Sequence, residues 1–161
     1  MNTIRLVNDV EHLREVIELG VQSASGEGGP FGALVAVGGG VVGRGTNRVV
    51  SSGDPTQHAE VVAIREACRT LGTHDLSGAV LYASCEPCPM CFGAAWWARV
   101  DRIVHAASRA DAASAGFDDA AIHADVARPP EQRELATVQL LAEEGWRPFA
   151  AWAANPDRVA Y

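Results

Sequence analysis

The sequence predicts a single α/β domain over residues 1–161, with a mixed five-stranded sheet between helices on both faces, three layers in all. The apolar patterns follow one another as helix, hairpin, helix, strand, helix, strand, then a last strand and helix, an alternation that buries a sheet between helices. With 48% hydrophobic and 20% charged residues, the chain has the material for a core and does not resemble a disordered protein. No internal repeat, low-complexity tract or interdomain linker divides it.

Val10, Leu13, Ile17, Val21 and Ala24 recur at three- and four-residue steps, so residues 9–24 read as an amphipathic helix with Asp9 as its N-cap. The turn-formers Gly26-Glu27-Gly28-Gly29-Pro30 end it. Phe31 follows them directly and reads as a core anchor by the usual burial ranking. Residues 32–37 and 41 onward are the arms of a hairpin turning at Gly38-Gly39-Gly40. Asn47 falls where the second arm gives way to a loop. Its amide can pair with a donor and an acceptor of a base, or, as composition favours, satisfy its own turn backbone.

The central helix covers about residues 57–71, with Val61, Ile64, Cys68 and Leu71 as its buried stripe and Gly72 as its stop. Residues 79–83 are an apolar strand, and Cys85-Glu86-Pro87-Cys88 turns from it into the next helix. That helix carries Trp96 and Trp97, whose directions differ by about 100°, so one suits the core and the other a pocket. Strand 103–107 follows, with His105 as a core or edge histidine. Residues 108–125 read as a loop and 129–134 as another connection. Val138 and Leu140 alternate as in a half-buried strand, residues 148–154 read as a last helix, and residues 155–161 as a frayed end.

The chemistry is concentrated between His58-Ala59-Glu60 and Pro87-Cys88-Pro89-Met90-Cys91. One imidazole and two thiolates can hold zinc and leave its fourth tetrahedral position open, which distinguishes a catalytic site from a structural one. His58 and Glu60 are two apart, and in a helix interior they would diverge by about 200°. Only near a helix start can both address one point, and there the helix dipole favours an anion. Cys88 and Cys91 are three apart near a second helix start, where the same dipole stabilises thiolates. Spacing alone would also admit Cys85 with Cys88, but the helix-start argument prefers Cys88 and Cys91. This H-x-E…P-C-x-x-C arrangement is the known signature of zinc-dependent nucleobase deaminases.

The formal net charge of −7 argues against a polyanionic partner, since phosphate binding is driven by Lys and Arg, and it suits a small neutral substrate. No apolar leader or membrane-length apolar run is visible. Three of the four cysteines fall within seven residues, which is no disulfide framework, so the expectation is a cytoplasmic protein whose thiols serve a metal.

Several further segments carry a resemblance: Gly29-Pro30-Phe31-Gly32-Ala33, Asp54-Pro55-Thr56 leading into the histidine motif, Trp97-Ala98-Arg99, Ala115-Gly116-Phe117-Asp118-Asp119 and the terminal Tyr161. Over nearly its whole length the chain resembles the cytidine-deaminase-like superfamily, and most of all the small bacterial zinc-dependent guanine deaminases. The zinc motif points only to the superfamily; the Gly-Phe-Asp-Asp segment and the closing tyrosine narrow it. The resemblance implies the cytidine-deaminase-like fold and hydrolysis of guanine to xanthine and ammonia in purine catabolism. His58, Cys88 and Cys91 would hold Zn2+, and Glu60 would shuttle protons. Phe31 and Trp97 would flank the base, with Ala59 also against it, while Asn47 and Asp119 would read its polar edge and Tyr161 would close the pocket. A second acidic residue would assist proton transfer, either Asp119 or its competitor Asp125. Water would be the co-substrate, with neither nucleic acid nor membrane as a partner, in a homodimer whose C-terminal segments can be exchanged. Guanosine, another small amino-purine or amino-triazine, and the adenosine of tRNA are the alternative substrates, and a zinc-stabilised scaffold without activity is the alternative of another kind.

Overall fold

A computed structural model describes residues 3–26 and 28–159, which fall into two compact units, one reaching Asp119 and the other beginning at Ala120. The first unit holds a mixed sheet of β1 (Gly32–Val37), β2 (Gly40–Thr46), β3 (Ala79–Cys85) and β4 (Arg102–Ala107), in the order β2-β1-β3-β4. β1 is antiparallel to both β2 and β3, and β3 is parallel to β4. The hairpin turns on Gly38 and Gly39, whose φ of 59° and 89° suits residues without a Cβ. The expected fifth strand is not formed. Val138 and Leu140 lie in irregular chain of the second unit, 77% and 80% exposed, with no ladder partner among the described residues. Alternating side chains supply an apolar face, but a strand also requires a neighbour for its backbone groups.

Helices cover both faces. α1 (Thr3–Ala24) packs on one, and α3 (Ala59–Leu71) and α4 (Pro89–Trp97) on the other. Successive strand residues alternate between the two cores. Ala33, Val35 and Leu81 enter the layer under α3 and α4, while Leu34, Ala36 and Tyr82 meet Val16 of α1.

α1 departs from its expected stripe. Val10, Ile17 and Val21 are 46%, 44% and 54% exposed, whereas Asp9, Val16 and Gly20 face inward. Asp9 caps nothing: it lies inside the helix and accepts hydrogen bonds from the Tyr82 hydroxyl at 2.6 Å and from both Arg102 Nη atoms at 2.9 and 2.7 Å. A carboxylate held by a bidentate guanidinium and a phenol can be buried at a tolerable cost, and it fastens α1 to β3 and β4.

α3 begins one residue after His58 and ends in the left-handed Gly72, whose N–H donates to the Cys68 carbonyl. Its innermost row is Ala59, Ala63 and Ala67, each fully buried, while Leu71 is 43% exposed. These alanines lie against Gly43 and Gly45 of β2. A Cβ on Gly43 would strike the backbone of Ala63 and Ala67, and one on Gly45 the backbone of Ala59 and Ala63. Small residues on both elements therefore set how deeply the start of α3 lies on the sheet.

Three short helices were not foreseen: α2 (Val49–Ser52), α5 (Arg109–Ser114) and α6 (Ala120–Val126), the last two within the expected 108–125 loop. α5 starts with a capping box in which Ser108 and Asp111 satisfy each other's backbone N–H. In the second unit α6 precedes α7 (Arg147–Ala154), the expected last helix. Beyond α7 the Arg158 guanidinium donates to the carbonyls of Ala153 and Asn155, so the described end of the chain is tied to the helix rather than frayed. Tyr161 lies outside the described residues.

Candidate active site

Two helix starts converge in the first unit. His58 is the N-cap residue of α3, and Cys88 is the N-cap residue of α4 with Pro89 behind it in the first turn. The helix-starting proline is thus Pro89 and not Pro87, because φ near −65° and a missing N–H suit that position. Extended backbone at each cap turns its side chain towards the other helix, and Cys91 enters from within the first turn of α4, fully buried.

His58, Cys88 and Cys91 bring their ligand atoms within 4.8 Å of one another. The His58 Nδ1 stands 3.6 Å from Cys88 Sγ and 3.5 Å from Cys91 Sγ. Zinc–sulfur bonds near 2.3 Å and zinc–nitrogen bonds near 2.0 Å, at tetrahedral angles, separate N from S by about 3.5 Å. The donor set fits zinc in both chemistry and size. The two thiols pull each other's pKa apart. The hydrogen bond from Cys91 draws Cys88 down to about 4, while that same bond, reinforced by burial and Glu60, pushes Cys91 far up. His58 is raised, chiefly by its hydrogen bond with Cys88. A divalent cation replaces the Cys91 proton and removes the obstacle to a second thiolate.

Cys85 stays out of the ligand set. Its thiol donates to the Ser108 carbonyl at 3.5 Å, and burial raises its pKa. The group that could hold a metal among the described residues is His58 with Cys88 and Cys91.

Glu60, in the first turn of α3, is 7% exposed, with Oε2 3.4 Å from Cys91 Sγ. Burial raises its pKa above the usual carboxylate value. It opens into a cleft of about 600 Å³ that is also lined by His58, Cys88, Phe31, Asn47 and Asp119. Such a volume is ordinary for a small-molecule site. Phe31 belongs both to the core, packed against its α3 side, and to the cleft wall. Asn47 makes the turn contact that composition favours, accepting from the Val49 N–H at 3.2 Å, and lines the cleft as well.

The remaining candidates lie elsewhere. Ala59 is fully buried against β2, outside the cleft lining. Trp97 ends α4 at 67% exposure, and Trp96 is 74% exposed, so neither takes the core or pocket position expected of the pair. Asp125 belongs to the second unit, where its oxygens accept from the backbone N–H groups of Glu134 and Leu135 and from Arg128. His105 is exposed on β4.

Sequence reasoning gave no role to Glu86, Arg109 or Phe117, all of which line the cleft. Phe117 meets Phe31 edge to face, with ring centroids 5.0 Å apart and planes at 86°. The Ser108-x-x-Asp111 spacing was the available signal that a helix, not a loop, leads to it.

Residues 7–107 match the model of the cytidine and deoxycytidylate deaminase zinc-binding region. The chain is 44% identical over 156 residues to guanine deaminase of Bacillus subtilis, covering 96% of this chain and 100% of that one. The solved structure of the Bacillus subtilis guanine deaminase superposes with a TM-score of 0.91 at 41% identity, covering 100% and 99% of the two chains. The guanine deaminase from Nitrosomonas europaea gives a TM-score of 0.63 at 38% identity over 67% of this chain and 63% of its own. A matching zinc constellation, a matching fold and full-length similarity place this chain together: it belongs to the cytidine and deoxycytidylate deaminase family of zinc-binding proteins, among the guanine deaminases.

Proposed function

We propose that the protein hydrolyses guanine to xanthine and ammonia, with Glu60 as the proton carrier and His58, Cys88 and Cys91 as the zinc ligands. The observation that carries this reading is Glu60 standing beside the three ligand atoms on the floor of a cleft of base-holding size. Zinc, when bound, supplies Lewis acidity that draws the pKa of water from about 15.7 towards about 7. Glu60 takes the proton that water gives up and passes it to the ring nitrogen beside C2. Burial, which favours the protonated carboxyl, makes Glu60 ready to return that proton. Water's oxygen bonds to C2, and its remaining proton passes to the exocyclic nitrogen, which departs as ammonia while the C2 carbonyl forms. Phe31 offers an apolar face to the purine, Asn47 and Asp119 offer hydrogen bonds to its edge, and Asp119 assists the proton transfer. Tyr161 completes the contacts.

The active species is a homodimer in which Tyr161 of one chain closes the site of the other. Exposed Phe92, Trp96 and Trp97 on α4, at 54%, 74% and 67%, support a further partner surface. Four free thiols support a reducing, cytoplasmic location and a place in purine catabolism.

Ammonia release measured against guanine, guanosine, adenine, cytidine and tRNA tests the substrate. Guanine should be turned over and adenine and tRNA left untouched; guanosine or cytidine ahead by an order of magnitude would overturn guanine while leaving deamination. Asn47→Ala and Asp119→Ala should each weaken guanine turnover with zinc content unchanged, since a lost polar contact leaves a buried partner unpaired.

A further inference from the structure

The metal loop is stitched to α5 by three consecutive contacts. The Cys85 thiol donates to the Ser108 carbonyl at 3.5 Å, the Glu86 N–H donates to the Ala107 carbonyl at 2.9 Å, and the Arg109 N–H donates to Glu86 Oε2 at 3.1 Å. The last is made by the Glu86 carboxylate, a side chain that the strand pairing of Cys85 with Ala107 does not require. It satisfies an N–H at the start of α5, a group with no partner within the helix.

From that point the chain runs through a short, fully bonded path to the far wall of the cleft. The Ser108–Asp111 capping box fixes the first turn of α5. The Phe117 N–H returns to the Ala112 carbonyl at 2.9 Å, with Gly116 at φ 91° making the turn. Phe117 then meets Phe31 edge to face. The two ends of this path are Cys88, two residues after Glu86, and the Phe117-Asp118-Asp119 wall, both lining one cleft.

We propose that Glu86 is a positioning residue: its carboxylate holds the Phe117-Asp118-Asp119 wall at a fixed distance from the metal ligands. Its carboxylate, part of the cleft lining, is engaged by the Arg109 N–H and acts through Arg109 and α5. A purine has to lie against that wall and over the ligand floor together, so their separation sets how well the base is held. This rests on the cleft being a guanine site.

The test uses zinc-loaded full-length protein and two readouts, amide hydrogen exchange over residues 109–119 and the Kd for xanthine, which binds without reacting. Glu86→Ala should keep its zinc, speed exchange over 109–119, and weaken xanthine by about tenfold, the loss expected for one charge-assisted hydrogen bond. Glu86→Gln retains an acceptor oxygen and should restore both. Unchanged exchange in Glu86→Ala overturns the proposal, as does loss of zinc, which would make Glu86 a support of the metal loop alone. If Glu86→Ala does not fold, Ser108→Ala breaks the capping box on the same path and has to loosen 109–119 and weaken xanthine alike; no change there overturns the proposal too. Faster exchange in a protein whose wild type ignores xanthine would leave the Glu86 link standing and remove the guanine reading.

Discussion

Each residue of the metal site has a distinct expected loss. Replacing Cys88 or Cys91 by Ala should empty the site, while Cys85→Ala should keep about one zinc per chain, because its thiol is spent on the Ser108 carbonyl. Metal analysis showing Cys85→Ala empty and Cys91→Ala full would reverse the assignment. Glu60→Gln should retain zinc and lose roughly 10²-fold or more in turnover, the usual contribution of general acid–base catalysis. It has a second consequence in the metal-free protein. Burial holds the Glu60 pKa above 4.5, so the unfolded chain releases that proton first and stability falls as pH rises beyond 4.5. Metal-free Glu60→Gln should therefore unfold at a higher temperature than metal-free wild type at neutral pH, with the gap closing as pH falls towards 4.5. Calorimetry of both metal-free proteins from pH 4.5 upward reads the gap. A gap that widens in acid would show that burial does not govern this carboxyl. The candidate ligands and Glu60 could be singled out in the sequence because their chemistry is written in local spacing and in two helix starts. Asp9 was not: its partners, Tyr82 and Arg102, are far along the chain, and a helix-capping carboxylate and a buried one look alike in isolation.

For α3, the decisive contact is the alanine row on the glycines of β2. Gly45→Ala should push the new methyl into the backbone of Ala59 and Ala63, lifting the helix start that carries His58 and Glu60. The expected cost is about 1–3 kcal/mol, as for other overpacked cores, with weakened zinc retention besides. Gly93→Ala, in α4 where an added Cβ meets nothing within 4 Å, is the matched control and should be neutral or slightly stabilising. Equal behaviour of the two variants in thermal melts and zinc titration would remove the close approach as the device that sets the site. The same contact explains which parts of the helices were misread. Periodicity located α1, α3 and α4 and the hairpin, since large apolar residues recur with the helix or strand period. It selected the wrong face of α1 and, in α3, found Val61 and Ile64 but missed the innermost row, because closest packing here is made by Gly20, Gly43, Gly45 and three alanines, which carry little hydrophobic signal. The missing fifth strand has the complementary cause: Val138 and Leu140 have the right alternation, and pairing depends on an edge that alternation cannot reveal.

For the whole molecule, the question is which chain closes which site. The proposed dimer gives the C-terminal segment a catalytic purpose, and tyrosine suits it, having a flat apolar face for a base and a hydroxyl for its edge. Shutting water out of the cleft would strengthen every polar contact inside it. Among the described residues, deleting Asn155 to Tyr161 removes contacts of Asn155, Asp157 and Arg158 at the very end of α7. Zinc content and thermal unfolding should therefore change little, while guanine turnover should fall severely. Mixing the deleted chain with full-length Glu60→Gln then separates the two geometries. If the tail acts across the dimer, the mixed species has one working site, built from the intact Glu60 of the shortened chain and the tail of its partner, although each parent alone is inactive. If the tail acts on its own chain, neither site in the mixed dimer has both parts and activity stays absent. Mass spectrometry of the mixture establishes that mixed dimers are present, so silence in the assay then counts against exchange. A deleted chain that is fully active by itself would remove the tail from the mechanism altogether.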